Sequence, residues 1–320
     1  MSLRIAFQMD PIEAVNIDKD SSFVLALEAQ KRGYSLYHYG PEALSLEGNR
    51  LSARARPLSV RREQGRHFTL GEPENLDLAK DVDIILMRQD PPFDMAYITA
   101  THMLEHLAGK TLVLNDPAEV RNAPEKLLVT HFPDLMPPTL ITSDKERILA
   151  FREKHRDLIL KPLYGNGGAQ IFHIDEHSDN LNALLEMFTL FYREPVIVQK
   201  YLPAIREGDK RIILIDGEPA GAITRIPPEG EARANLHAGA TAQKTILTDR
   251  DLEICTAIAP VLKERKLVFT GIDVIGDYIT EINVTSPTGL QEIANLDGLH
   301  LEESLWDAFE AHYERMVNQK

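Results

Sequence analysis

Asp273, Glu281 and Asn283 stand in one β-forming stretch, GIDVIGDYITEINVTSP (271–287), at positions where packing alone would favour Val or Ile. Glu281 and Asn283 are two residues apart, so on a strand their side chains share a face. Carboxylate and amide oxygens are donors that Mg²⁺ accepts alongside phosphates. Asp273 meets the same ion only if it lies on that face, and directly opposed residues of an antiparallel pair do. A plain two-residue turn at Gly276-Asp277 would pair Asp273 with Thr280 and send Glu281 to the other side. A loop with an odd number of residues, most simply Gly276-Asp277-Tyr278, or a bulge of the same effect, pairs Asp273 with Glu281 and Gly271 with Asn283. The odd loop or the bulge is therefore expected. Ser286 and Thr288 extend the polar row.

In ILKPLYGNGGAQIF, Lys161 ends an apolar strand and Gly165, Gly167 and Gly168 follow. Glycines let backbone N–H groups approach a phosphate, and a neighbouring Lys supplies charge. No Lys-Ser/Thr follows the last Gly and a strand comes next, so this is no Walker A loop; a Gly-rich hairpin turn is the alternative. VIVQKYLP (196–203) leads into Gln199, Lys200, Tyr201 and Leu202, extended backbone able to pair with the edge of an adenine. A strand leaving for a loop reads the same way. EGDKR (207–211) adds acids such as Asp209 for a ribose and bases such as Arg211 for phosphates, or simply solvated charge. Arg88 directly follows the strand DIILM, at the carboxyl end where open α/β sheets place ligands; a capping surface Arg is the alternative.

These residues need elements to hold them. LRIAFQMDP reads as a strand, and SSFVLALEAQKRGYSLYHYG as a helix capped by Ser21 or Ser22 and stopped by Gly33, then a strand. Further strands at 81–90 and 110–116 complete a small parallel α/β domain to about residue 120. It holds no G-x-G-x-x-G, so a Rossmann reading has little support. Strands joined by short turns follow, with a hairpin around Asp216-Gly217 within 210–227. The stretch 228–244 lacks apolar periodicity and reads as a long loop, a lid or a disordered segment. Thr248 begins a helix that Pro260 should bend or interrupt, and 301–317 closes the chain as an amphipathic helix.

With 320 residues, 43% hydrophobic, the chain can bury a substantial core in two or three domains. A net charge of −14 argues against nucleic acid or an anionic membrane as the main partner, so an anionic substrate needs a local cluster of Lys and Arg. No stretch approaches the ~18 apolar residues of a membrane span. The one cysteine, Cys255, excludes an internal disulfide and suits a reducing compartment, so a cytoplasmic protein is expected.

Taken in order, Lys126, Lys161 with its Gly-rich loop, Gln199–Leu202, Arg211, Arg225 and the trio Asp273, Glu281 and Asn283 resemble the ATP-grasp enzymes, and more narrowly the bacterial glutathione synthetases. MDPIEAVNIDKDSSF, ILMRQDPPFD, LILKPLYGNGGAQIF, YLPAIREGDKRI and GIDVIGDYITEINVTSPTG carry the likeness nearly end to end. It implies an N-terminal parallel α/β domain (1–122) and an ATP-grasp fold of two α+β subdomains (123–202 and 203–320) that clamp ATP, with a flexible loop at 227–243 that is mobile without substrate. The implied reaction phosphorylates the C-terminal carboxylate of γ-glutamylcysteine with ATP and lets glycine attack the acyl phosphate.

On this resemblance Asp273, Glu281 and Asn283 hold Mg²⁺, with Mn²⁺ as a substitute. ATP is met by Lys126, Lys161, Gly165, Gly167, Gly168, Gln199, Lys200, Tyr201, Leu202 and Asp209. Arg211 and Arg225 are the catalytic charges, and Arg88, Ser286 and Thr288 take the dipeptide. A homo-oligomer, a tetramer, is implied. The chain departs from the family pattern at Ala240 and Thr241 in the lid and at Gln291. Another carboxylate–amine ligase, or a non-catalytic ATP-sensing module, are the competing functions.

Overall fold

In the computed structural model, which describes residues 2–231, 233–235 and 239–319, three sheets are formed. The apolar run of β1 (Arg4–Gln8) is buried, and α1 (Ser21–Lys31) follows it. Asp20, not either serine, caps α1 by accepting from the Phe23 N–H. Ser21 and Ser22 are buried inside the helix, where their hydroxyls accept from the Leu290 N–H and from Arg88. β2 (Ser35–Tyr39) runs parallel to β1.

The chain then adds β3 (Leu44–Glu47), β4 (Arg50–Val60), β5 (Phe68–Leu70) and β6 (Glu74–Asp77), all antiparallel and unanticipated from the sequence. β4 alternates buried Leu51, Ala53 and Ala55 with exposed Arg50, Arg54 and Arg56. That is period-two patterning, but written in Ala and Arg, which carry little β propensity. After α2 (Leu78–Asp81) come the parallel strands β7 (Ile84–Met87) and β8 (Leu112–Leu114), separated by α3 (Met95–Leu104). The four expected strands are thus parallel within a wider mixed sheet of eight. α4 (Pro117–Arg121) and α5 (Glu125–Leu128) lead out of it.

The second sheet is antiparallel, in the order β11-β10-β12-β9: β9 (Thr139–Thr142), β10 (Leu158–Pro162), β11 (Phe172–Ile174) and β12 (Val196–Lys200), covered by α6 (Lys145–His155) and α7 (Leu181–Phe191). Its core, built on Leu158, Leu160, Leu185 and Phe188, is separate from the rest.

The third sheet contains β13 (Asp209–Ile215), β14 (Glu218–Ile226) and β15 (Thr241–Lys244), joined on its other side by β16 (Phe269–Ile275) and β17 (Tyr278–Asn283). The β13–β14 hairpin turns at Asp216-Gly217, both at positive φ (50° and 78°), as expected. The long loop ends earlier than expected, because Thr241–Lys244 pairs with β14. Ala232, Leu236, His237 and Ala238 lie outside the described residues, and the expected mobility of this loop falls partly on them. α8 (Asp249–Glu264) starts at a Thr248–Asp251 capping box and runs through Pro260 without interruption. Pro260 is solvent-exposed while Ile254, Ile258 and Leu262 are buried, so packing outweighs the ~3 kcal/mol cost of an internal proline.

α9 (Leu290–Asp297) and α10 (Leu301–Asn318) return to the N-terminal sheet. Trp306 is fully buried and its indole donates to the Leu25 carbonyl at 2.8 Å. One core joins Ile85 and Leu107 to Ile212 and Ile272, and a second joins Ile5 and Phe7 to Ile213 and Trp306. Asn115 adds a polar tie, bonding Phe269 N and O and Val284 O. The first and third sheets are therefore one packed body.

Candidate active site

Residues of the second and third sheets line a cleft of about 820 Å³, a volume that includes its open mouth. Every residue assigned to ATP reaches it: Lys126, Lys161, Gly165, Gly167, Gly168, Asp209, and Gln199 through Leu202. Asp273 and Glu281 line it too. Ile159, Ile171, Ile205 and Ile275 supply apolar surface suited to the faces of a base. Gln199 is oriented by donating to Thr139 Oγ1 at 2.8 Å, and the Tyr201 ring stacks on His173 at 4.1 Å between centroids.

The trio Asp273, Glu281 and Asn283 sits as parity requires, by the bulge rather than the odd loop. β16 and β17 meet at a two-residue turn whose Gly276 has φ 57°, Ile275 facing Tyr278. A register shift beyond Val274–Ile279 leaves Thr280 as the extra residue, its hydroxyl donating to the Asp273 carbonyl at 3.2 Å. Asp273 then opposes Glu281, and Gly271 opposes Asn283.

Charge is balanced across the sheet by cross-strand pairs. Arg211 on β13 opposes Asp273, and its Nε and Nη2 donate to both carboxylate oxygens at 2.5 and 3.0 Å. Arg225 opposes Asp209 and bonds it at 2.5 Å, while also reaching Asp273 at 3.0 Å. Both arginines are buried behind the carboxylates. Glu281 lies 3.4 Å from Lys126 and 3.5 Å from Lys161. Lys126 also donates to the Gly165 carbonyl at 2.6 Å, tying α5 to the Gly-rich loop.

These contacts shift the titrations. Burial would raise Asp273, but Arg211 and Arg225 hold it below the usual carboxylate range. Glu281 is partly buried; desolvation would raise it, but Lys126 and Lys161 hold it low. Burial lowers Lys161 despite Glu281, whereas for Lys126 the fields of Glu281 and Glu125 outweigh burial and raise it. Asp209 is the exception: burial pushes it up to about 7 against the pull of Arg225, with Asp273 adding to the rise. Its Oδ1 has no partner among the described residues.

The residues assigned to the dipeptide do not line this cleft; Arg88 lines a separate small pocket with Phe269, Thr285 and Pro287. Arg88 is buried, not a surface cap: it donates to Ser22 Oγ and to the Pro287 carbonyl, each at 2.9 Å, and covers the Phe269 ring. Its Nη1 is buried without a partner, free for an anion. Ser286 donates to the Arg88 carbonyl at 3.2 Å, and the Thr288 carbonyl accepts from Arg211 at 3.3 Å. Gln291 is structural, donating to the Ile17 and Asp20 carbonyls and accepting from Arg62.

Sequence reasoning missed Arg233 and Asn235, which line the cleft from the long loop, and Glu125, which accepts from Thr285 beside Lys126. Arg233 is the one Arg between 228 and 244, a signal that was there to be read. Gly168 has φ 79°, and a Cβ there would lie 2.3 Å from Asn235 Oδ1, so only glycine lets these two loops meet.

A nucleotide-sized cleft between two antiparallel sheets, with lysines facing acids across it, defines an ATP-grasp enzyme. Solved structures share the fold: D-cycloserine synthetase (TM-score 0.67, 16% identity, 98% of this chain and 99% of that one) and D-alanine–D-alanine ligase from Bacillus anthracis (TM-score 0.62, 15% identity, all of both chains). The family models for the prokaryotic glutathione synthetase N-terminal domain and ATP-grasp domain match residues 3–121 and 125–298. Glutathione synthetase of Brucella melitensis is 57% identical over 97% of this chain and 99% of its own, and that of Escherichia coli 45% over 98% and 99%. The chain belongs to the prokaryotic glutathione synthetase family.

Proposed function

We infer that the protein joins γ-glutamylcysteine and glycine at the expense of ATP, through an acyl phosphate, to give glutathione, ADP and phosphate. The observation that carries this is the convergence of Lys126, Lys161, Asp273 and Glu281 on one cleft, together with a buried Arg88 whose Nη1 is unpaired. A carboxylate is a poor acyl donor at neutral pH, so two anions must be brought together and water kept from the product of transfer. Lys126 and Lys161 bind and orient the phosphates, with the 165–168 loop over them. Arg211 and Arg225 supply positive charge toward the transferring group, the type of clamp that contributes most to such barriers. Arg88, Ser286 and Thr288 orient the dipeptide so that its carboxylate faces the phosphates.

The oxygen donors at 273, 281 and 283 fit Mg²⁺ or Mn²⁺. Among the described residues no three Asp, Glu, His or Cys converge, so the set is two carboxylates and an amide, which leaves places for phosphate oxygens. Bound there, the ion supplies Lewis acidity and a template for the phosphates.

Residues 123–202 are taken as the moving subdomain, between a unit at 1–122 and one at 203–320, and the 227–240 loop as the cover over the intermediate. The separate core of the second sheet supports the first from β9 onward, whereas Leu128 and Val129 pack in a core of the body, and the Asn235–Gly168 contact supports the second. A cytoplasmic homo-oligomer, a tetramer, completes the reading; the buried, unpaired Cys255 suits a reducing compartment. Phosphate release tests the reaction: γ-glutamylcysteine plus glycine should support turnover, and turnover with other amino-acid pairs but not with this one would overturn the reading.

A further inference from the structure

The Gly-rich loop is gripped at both ends. At one end Gly168 meets Asn235 and its carbonyl lies 3.5 Å from Arg233, both of the long loop. At the other, Tyr164 stacks on Phe93, with ring centroids 6.1 Å apart and planes at 20°, within the range of an offset aromatic pair. Phe93 belongs to RQDPPFD (88–94), the segment that begins with Arg88, and it leans in turn on Tyr97 of α3 at 5.2 Å. Tyr97 is buried at the foot of this segment, its hydroxyl unpartnered among the described residues. Tyr164 is 38% exposed and packs in none of the cores of the described residues, which leaves its ring to this contact.

We propose that Phe93 and Tyr164 are positioning residues that make the seating of the Gly-rich loop on ATP depend on dipeptide bound at Arg88. This rests on the assignment of Arg88 to the dipeptide. A dipeptide that orders the 88–94 segment presents Phe93 squarely to Tyr164, which draws Gly165 and its neighbours down over the phosphates. Without it the loop closes less often, and ATP is not spent in the absence of an acceptor. Binding linkage then requires ATP to tighten the dipeptide by the same factor.

The test is calorimetric titration of a non-hydrolysable ATP analogue with and without γ-glutamylcysteine, together with phosphate released per glutathione formed. In Tyr164→Ala the dipeptide should lose about two- to twelvefold of its enhancement of analogue binding, the worth of one aromatic pair, and glutathione formation at subsaturating ATP should fall with it while phosphate per glutathione stays near one. Tyr164→Phe should behave as wild type. Phe93→Leu, which keeps apolar volume against Tyr97, should match Tyr164→Ala, and the double variant should lose no more than either. If Tyr164→Ala retains the enhancement, or the losses add, the proposal is wrong. Arg88→Lys tests the underlying assignment separately: it should raise the dipeptide KM, and an unmoved KM would remove that assignment whatever Tyr164 does.

Discussion

The second sheet with α6 and α7 differs from the body made by the other two sheets in how it is held and in what it gives the site. The body joins the N-terminal and C-terminal segments through two shared cores, while the second sheet keeps its own. The body also supplies the array of Asp209, Arg211, Arg225, Asp273 and Glu281, fixed by cross-strand pairing. The second sheet brings Lys161, the glycines and the segment Gln199–Leu202. Across the cleft the two are linked by thin contacts, such as Lys161 to Glu281 at 3.5 Å and Lys126 to Gly165 at 2.6 Å. One side is a preorganised charge template and the other a cover.

The largest break should come from the template. Glu281→Gln keeps size and removes charge, and should cut glutathione formation at saturating substrates by on the order of 10³-fold, the upper range for loss of one preorganised electrostatic group. Activity within tenfold of wild type would show that the carboxylate is not part of the template. Arg225→Ala comes next, with a loss on the order of 3 kcal/mol in the barrier and a much smaller change in ATP affinity. It also leaves Asp209 and Asp273 facing each other without a shared cation, so the thermal midpoint should fall as well. Normal turnover in a folded variant would rule out the charge role.

A subtler difference lies inside the template. Burial pushes Asp209 up to about 7 in the folded chain, against 3.8 for an ordinary Asp. Between those values the native state holds a proton that the unfolded chain has released. The stability contributed is present in acid and is lost as pH rises through 7. Asp273, held low, behaves oppositely: its contribution is present above the ordinary range and lost only in stronger acid. Urea midpoints of wild type and Asp209→Asn should therefore diverge between pH 5 and pH 8, wild type losing ground at the higher pH. An equal difference at both pH values would mean that Asp209 stays ionised.

The template was the legible part of the sequence, because charged and amide residues in otherwise apolar strands have no packing reason to be there. The turn parity of β16–β17 followed from the same residues, although the bulge at Thr280 and a three-residue loop give identical pairing and could not be told apart. Strand β4 was missed because Ala, Ser and Arg carry a weak strand signal, and β3, β5 and β6 because they run for only three or four residues. The destination of α9 and α10 was hidden because an amphipathic face shows that a helix packs, not against what. Phe93 and Tyr164 lie in different loops, and no local pattern connects them.

The cover allows the last and smallest test. Leu185 of α7 is buried in the core of the second sheet and does not line the cleft. Leu185→Ala removes buried methylene groups and leaves a cavity, which should cost about 2–4 kcal/mol. If the second sheet is an independent core, that loss stays local. Amide exchange should accelerate in β9–β12, α6 and α7 while β13, β16 and α10 keep their wild-type protection. Turnover at saturating ATP should fall by less than about threefold, since the template is untouched and only the fraction of well-formed cover declines. Equal loss of protection in α10 would show that the three sheets unfold as one unit, and the contrast between template and cover would then be one of charge alone.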